Sequence, residues 1–354
     1  MKKTIIALGV TTLISGASMA QSNVQVYGVV DMGYVHFSAD RVKSMNTIDN
    51  GMNAPSRIGF KGTEDLGNGL KALFTLEYNI APDQNSGVGD PASRTRFTGT
   101  QARQQYVGLS GNFGTVVAGR LQTTGFDFAC SYNPVAGGAF NVTDRMKATT
   151  VLNCGTGGRR DNAVAYISPS FGGLSFAYNH ARVTESAATQ PTEKDASANL
   201  LSLTYANGPL KLGTVYSKID ARNTVAADDT REYGLGGSYD FGLLKAFAMY
   251  QNQKQDGLSS DSKWALGVAV PVSTKGTVKA AYGQNRIESG AASNADTKAY
   301  SLVYNHDLSK RTQLYAGWTR VSNERNATTA LAADFVVGNS ANGNLFATGV
   351  SHKF

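Results

Sequence analysis

Alternation of apolar and polar residues with a period of two dominates this chain. "NLLSLTYA" sets Leu201, Leu203 and Tyr205 on one face and Ser202 and Thr204 on the other. "KWALGVAV" opposes Trp264, Leu266, Val268 and Val270 to Lys263, Ala265, Gly267 and Ala269. "REYGLGGSYDF" opposes Tyr233, Leu235, Tyr239 and Phe241 to Glu232, Gly234, Ser238 and Asp240, and "AYSLVYNH" opposes Tyr300, Leu302 and Tyr304 to Ser301 and Asn305. This period marks β-strands with one apolar face. "RTQLYAGWTRV" mixes both faces and gives no orientation. "NLFATGVSHKF", residues 344–354, carries the alternation to the last residue, with Phe346, Thr348, Val350, His352 and Phe354 on one face. Chain ends usually fray in water, so a strand that runs to the end needs a partner.

The connections between strands alternate short and long. The short ones, "EDLGNG", "SGNFG", "SPSFGG", "NGP", "DFG", "PVSTKG" and "HDLSKR", hold the Gly, Asn, Asp and Pro residues that tight reversals require. The long ones cover residues 38–54, 80–101, 121–158, 183–196, 220–230, 255–260, 287–296 and 322–342. Eight long loops and seven short turns predict 16 strands. A soluble β-sandwich has no reason to sort its loops this way. A membrane barrel does, with short turns at the periplasmic side, long loops outside, and strands of roughly 10 residues that alternate apolar-out and polar-in. An even count brings the last strand beside the first. Val24 and Phe354 then meet, both edges disappear, and Phe354 falls in an aromatic girdle at the membrane interface. No linker or composition break divides residues 21–354, so the fold class expected is all-β, a single antiparallel transmembrane barrel.

The first residues add a compartment. Lys2 and Lys3, the apolar run "TIIALGVTTLI" and the small residues of "SGASMA" form a secretory leader over residues 1–20, cleaved before Gln21. Its apolar run is too short for a membrane anchor of roughly 20 residues. The leader removes two lysines and no acid, which lowers the net charge from +7 to +5. Gly makes up 39 of 354 residues and Pro only 8. Few segments show a sustained helical period.

Several stretches identify a family. "VQVYGVVDMGY", "SRIGFKGTEDLGNGLKALFTLE", "YVGLSGNFGTVVAGR", "DNAVAYISPSFGGL", "HDLSKRTQLYAGW" and the final "SHKF" closely resemble the general porins of Gram-negative outer membranes, of the beta-proteobacterial type. The resemblance covers residues 24–354. It implies a homotrimer of 16-stranded barrels, a third loop folded inward as a constriction, and a final Phe354 read by the assembly machinery. Ser351 departs from the family, which often carries Arg before the last His.

A barrel of this size leaves an aqueous channel, whose selectivity depends on the charges at its narrowest part. In "SRIGFKG", Ile58 and Phe60 face lipid, which places Arg57 and Lys61 in the lumen. The same parity turns Lys71 and Glu77 inward opposite Leu70, Phe74, Leu76 and Tyr78, and Lys279 inward opposite Val278 and Tyr282. Val164 and Tyr166 facing out leaves Arg159 inside. The resemblance puts Arg57 and Arg159 in a basic cluster opposite the third loop. Arg120, in the "AGR" that opens this loop, fits the family pattern, although its parity with Val116 and Ala118 points it outward unless the chain bends. Asp127, Asp144 and Arg145 are charged residues on the loop itself. The only two cysteines, Cys130 and Cys154, both lie there too, and an even count in an oxidising compartment predicts a disulfide.

These features point to passive diffusion of ions and small hydrophilic solutes through a weakly anion-selective pore. The partners expected are a second and third copy of the chain, lipid and lipopolysaccharide, and the assembly machinery. Two alternatives stand beside this reading: a substrate-specific channel for a sugar or organic acid, and an outer-membrane enzyme. The second needs a nucleophile and base at the rim, and no HExxH, GxSxG or CxxC occurs. "GNGLKA" is a hairpin rather than a dinucleotide fingerprint, because no helix follows it. His36, His180, His306 and His352 are scattered, and "NVT" and "NAT" have glycosylation spacing by chance in such a protein. No cofactor or metal is implied. Basic residues are dispersed along the chain, unlike those of a nucleic-acid binder.

Overall fold

The computed structural model describes residues 23–84, 102–147, 149–182, 196–220, 229–258, 260–288, 294–332 and 335–354. The leader expected over residues 1–20 lies outside the described residues. In chain order the strands are β1 (Asn23–Ala39), β2 (Val42–Asn50), β3 (Arg57–Gly67), β4 (Leu70–Asn79), β5 (Ala102–Gly111), β6 (Gly114–Gln122), β7 (Arg159–Ile167), β8 (Leu174–Arg182) and β9 (Ser197–Asn207). They continue as β10 (Leu210–Asp220), β11 (Thr230–Asp240), β12 (Lys245–Gln255), β13 (Ser260–Pro271), β14 (Gly276–Arg286), β15 (Thr297–Asp307) and β16 (Thr312–Asn323). The last three are β17 (Thr329–Ala332), β18 (Phe335–Val337) and β19 (Asn342–Lys353).

All but β17 and β18 form one antiparallel sheet that closes on itself, because β1 pairs with β19 from Val29↔Lys353 to Ala39↔Gly343. On its other edge β1 takes two partners end to end: β2 along Met32–Ala39 and β3 along Asn23–Val29. Those two pieces share one position in the wall, so the barrel has 16 strands. The first loop is thereby shorter than its sequence suggests. Much of residues 38–54 is the β2 return strand, and only residues 51–56 leave the wall to turn inward. Likewise β17 and β18 form a small hairpin within the expected loop over residues 322–342.

Alternation builds the wall as its period requires. On β13, Trp264, Leu266 and Val268 are exposed on the outer face while Lys263 and Ala265 are buried within. On β11, Tyr233, Leu235 and Tyr239 lie outside and Glu232 inside. The reversal from β3 to β4 uses Gly67, Asn68 and Gly69, all at positive φ, where Gly carries no steric penalty and Asn a small one.

One half of the lumen departs from the simple polar-in rule. The third loop opens with α1 (Thr124–Ser131), capped by Thr123, whose hydroxyl accepts the Phe126 N–H at 3.3 Å. The loop lies against the inner faces of β9–β16 and packs into pits left by glycines. A Cβ at Gly234 would sit 2.5 Å from the Phe128 ring, one at Gly267 2.6 Å from Pro134, and one at Gly317 2.6 Å from Phe140. Tyr132 fills the space above Gly213 and Gly236, and Met146 that above Gly283. Around them Val142, Leu152, Leu200, Val215, Val303 and Leu345 complete a buried apolar cluster inside the barrel. Each large side chain buried there contributes about 1.5–3 kcal/mol, and polar ties add direction. Glu232 accepts the backbone N–H groups of Val151 (3.0 Å) and Leu152 (3.2 Å) and that of Thr150. Lys263 donates to the Thr143 carbonyl at 3.3 Å, and Ser301 to the Phe140 carbonyl at 2.5 Å.

Candidate pore constriction

With the third loop held against one side, a cavity of ≈ 680 Å³ lies between that loop and the opposite wall. Three guanidinium groups stand on the wall: Arg57 at the start of β3, Arg103 near the start of β5 and Arg159 at the start of β7. They gather around a single buried carboxylate, Glu77 on β4. Arg103 Nε donates to Glu77 Oε1 at 2.6 Å, Arg57 Nε lies 3.5 Å from Oε2, and the Tyr27 hydroxyl donates to Oε2 at 3.1 Å. Arg103 also donates to Asn79 Oδ1 (3.2 Å) and Arg57 to the Pro55 carbonyl (3.0 Å). Arg159 lies over the Phe126 ring, 4.5 Å from its centroid, and donates to the Gly155 carbonyl at 3.3 Å.

The loop side contributes Asp144 and Arg145, and the end of β2 contributes Asp49. Arg145 is held by backbone oxygens, with Nη2 2.5 Å from the Ala139 carbonyl and Nη1 2.9 Å from that of Ala330 in the β17–β18 hairpin. Among the described residues, the charged ones lining the cavity are thus four arginines and two aspartates, and arginine stays charged at any working pH. Burial pushes the Asp144 carboxyl up, against the pull of Lys263 and Arg145. Cys130 and Cys154 are disulfide-bonded, Cα to Cα 5.1 Å, and tie α1 to the segment that leads into Arg159.

The other residues named from the sequence spread more widely. Lys61 is exposed, its Nζ 5.1 Å from the centre of the Tyr27 ring, and Lys71 is exposed near the β3–β4 turn. Lys279 is half-buried on β14. Asp127 is exposed on α1 but ringed by protein, and that surrounding low-dielectric material pushes its carboxyl up to about 6, against Lys211 and Arg159. Arg120 is paired with Asp161 and donates Nε to the Ala102 carbonyl at 2.9 Å. A β-bulge between Gly119 and Leu121 breaks its parity. Gly119 makes the bend possible, at φ 142° and with the Gln105 carbonyl where a Cβ would sit. Phe354 is on the outer face, hydrogen-bonded to Gly28 in both directions (3.1 and 3.2 Å).

Arg103 escaped the sequence reading. Parity with Gln105 and Val107 sends it to the lipid face, but a bulge opposite Glu77 and Tyr78 inserts one extra residue and turns it inward. A signal existed, since an arginine facing lipid costs about 2–4 kcal/mol at mid-membrane, and one at outward parity asks for a bulge.

Comparison with known proteins agrees with this architecture. The family model described as Gram-negative porin matches residues 5–326. Outer membrane porin protein 32 of Delftia acidovorans is 32% identical, the match covering 99% of this chain and 98% of that protein. An outer membrane porin protein of Bordetella pertussis is 30% identical over 89% of this chain and 93% of its own. Among solved structures, the anion-selective porin from Comamonas acidovorans superposes with a TM-score of 0.78 at 28% identity, covering 94% of this chain and 100% of that one. A closed 16-strand barrel, an interior charged passage and a family match along nearly the whole chain lead to one assignment: this chain belongs to the Gram-negative porins and is an outer-membrane porin.

Proposed function

We propose that this porin is a passive, weakly anion-selective diffusion channel for ions and small hydrophilic solutes, not an enzyme, and that it works as a homotrimer. The observation that carries the selectivity is the excess of four arginines over two aspartates around the cavity. In so narrow a space fixed charges act within the screening length of about 10 Å at 0.1 M salt, so an anion meets a favourable potential and a cation an unfavourable one. The anion selectivity named for the Comamonas relative supports the same reading. Arg57, Arg103 and Arg159 attract the anion from the wall. Asp144 and Arg145 set the opposing field on the loop. Arg120, Lys61, Lys71, Glu77, Asp127 and Lys279 shape the potential around them.

In the cell the chain is made with the leader over residues 1–20 and is handed to the assembly machinery by a signal that includes Phe354. It sits in outer-membrane lipid and lipopolysaccharide. Small residues and mixed faces on the first strands suit packing between barrels. Reversal potentials in a KCl gradient across planar bilayers test the selectivity, and clear cation preference rejects it. Unheated gel migration with light scattering tests the trimer, which a single monomer mass in detergent rejects.

A further inference from the structure

Asp31 sits on the lumen side of β1, at the seam where β1 meets β19, and is 0% exposed. Its carboxylate accepts the backbone N–H groups of Asn53 (3.3 Å) and Ala54 (3.2 Å) and the hydroxyl of Tyr315 (3.0 Å). Its own N–H donates to Ser56 Oγ at 3.0 Å, and that hydroxyl donates back to the Asp31 carbonyl at 3.2 Å. These donors are neutral. A buried carboxylate is costly unless hydrogen-bonded. Here two of its bonds, together with the Ser56 pair on the Asp31 backbone, fall on residues 53–56, the part of the first loop that turns into the lumen, while Tyr315 and Ser351 hold it from the wall.

That short segment touches both sides of the constriction. The Pro55 carbonyl holds the Arg57 guanidinium, and the neighbouring Met52 carbonyl accepts the N–H of Ala139, near the tip of the third loop, at 2.9 Å. Asp31 is not among the residues lining the passage. Its link to Tyr315 is built into the wall. Gly33 and Gly349 face each other across the seam, and a Cβ on either would lie 2.6 or 2.5 Å from the Tyr315 hydroxyl. The paired glycines therefore leave the room in which that hydroxyl reaches Asp31, while the Tyr315 ring meets Phe140 of the third loop edge-on at 6.1 Å.

We propose that Asp31 is the positioning residue of the constriction: by holding residues 53–56 it fixes where Arg57 points and where the tip of the third loop rests. Aperture width and selectivity are then set from the closing seam. The selectivity half rests on the anion preference proposed above, and the width half does not. The Asn53 side chain has a second hold through Gln313 (2.8 Å) and Asn305 (3.1 Å), so losing Asp31 loosens the elbow without freeing it.

The test compares wild type, D31N, R57A, D31N/R57A and Y315F in planar bilayers, each first checked for heat-modifiable gel migration. D31N is expected to shift the reversal potential toward zero as far as R57A does, and the double variant no further than either, the non-additivity of residues acting through one another. Open-channel current noise rises in D31N and Y315F and stays at the wild-type level in R57A. Additive shifts in the double variant, or wild-type noise in D31N, overturn the proposal. Should D31N not form a barrel, Y315F decides, and unchanged noise there overturns it equally. A wild-type pore without anion preference defeats the selectivity reading alone, leaving the noise comparison to judge Asp31.

Discussion

Strands β3–β7 set Arg57, Arg103 and Arg159 around Glu77 at the edge of an open cavity, whereas β10–β16 present glycines and small side chains that the third loop covers with Phe128, Tyr132, Phe140 and Met146. Both walls come from the same two-residue alternation, and both keep an apolar outer face. They differ in what the inner positions meet. On the charged side it is a cavity and one another: Glu77, Arg103 and Arg159 are largely buried, and their ion pairs and hydrogen bonds offset the water they lose. On the packed side it is another part of the chain, so the inner face obeys the rules of a protein core, down to glycines that fit aromatic rings. A constriction needs both halves: fixed charges at the edge of the passage, and a rigid support that holds the opposing loop at a fixed distance.

The comparison predicts where each wall breaks. The largest effect belongs to the charged side. Replacing Arg57 and Arg159 together with Glu turns a lining of four arginines and two aspartates acidic on balance, and the reversal potential in a KCl gradient changes sign. A pore that stays anion-selective after both replacements would falsify the assignment of selectivity to this wall. On the packed side, Phe140→Ala removes the ring that fills the space above Gly317. The loss expected is about 3–5 kcal/mol, taken from the anchoring of the loop rather than from the barrel. Conductance should increase and fluctuate while heat-modifiable migration persists, and a quiet, wild-type conductance would count against the packing account.

A smaller change follows from C130S/C154S, which removes a cross-link spanning 24 positions. Chain-entropy arithmetic assigns it about 3–4 kcal/mol of constraint on the unfolded loop, but the pits and the Glu232 latch still hold the native position. Mean conductance should stay within error of wild type and proteolysis of the loop should quicken; a collapsed or much enlarged conductance would show that the bridge, not the packing, sets the aperture. The smallest effect is a pH dependence. Asp127, raised to about 6, carries a negative charge at neutral pH and loses it as pH falls toward 5. The loop side then becomes one unit more positive, so anion preference rises modestly on acidification. D127N should show the enhanced preference throughout that range, and a wild-type reversal potential that does not move between neutral pH and 5 would exclude the effect.

The wall itself was legible because a strand has only two faces. Once Ile58 and Phe60 are assigned to lipid, Arg57 has one place to go, and Glu77 follows by the same count. Bulges defeat that arithmetic, since each adds one residue and exchanges the faces beyond it. Arg103 was lost this way, and Arg120 was left pointing both ways. The packed wall was hidden for a different reason. Gly234 and Gly267 read as members of a small, polar face, and nothing local says that Phe128 and Pro134 cross the lumen to meet them. The β2 return strand was missed within the first loop because "VKSMNTIDN" lacks clean alternation and owes its conformation to the β1 edge beside it.

The seam between β1 and β19 bears on how quickly such a protein can reach its native state. Gly28 and Phe354 exchange hydrogen bonds although nearly the whole sequence separates them. Contacts between residues so distant in the chain form late, because the loop between them must first lose its freedom. Until they form, the growing sheet has two bare edges, each ready to pair with another chain. Apart from β1 with β3 and β16 with β19, which each skip only one short return or hairpin, every other strand pair of the barrel joins neighbours in sequence, so hairpins can zip rapidly and wait. The slow step is the last pairing, and the lifetime of the unclosed sheet is the interval during which this porin most needs protection from aggregation.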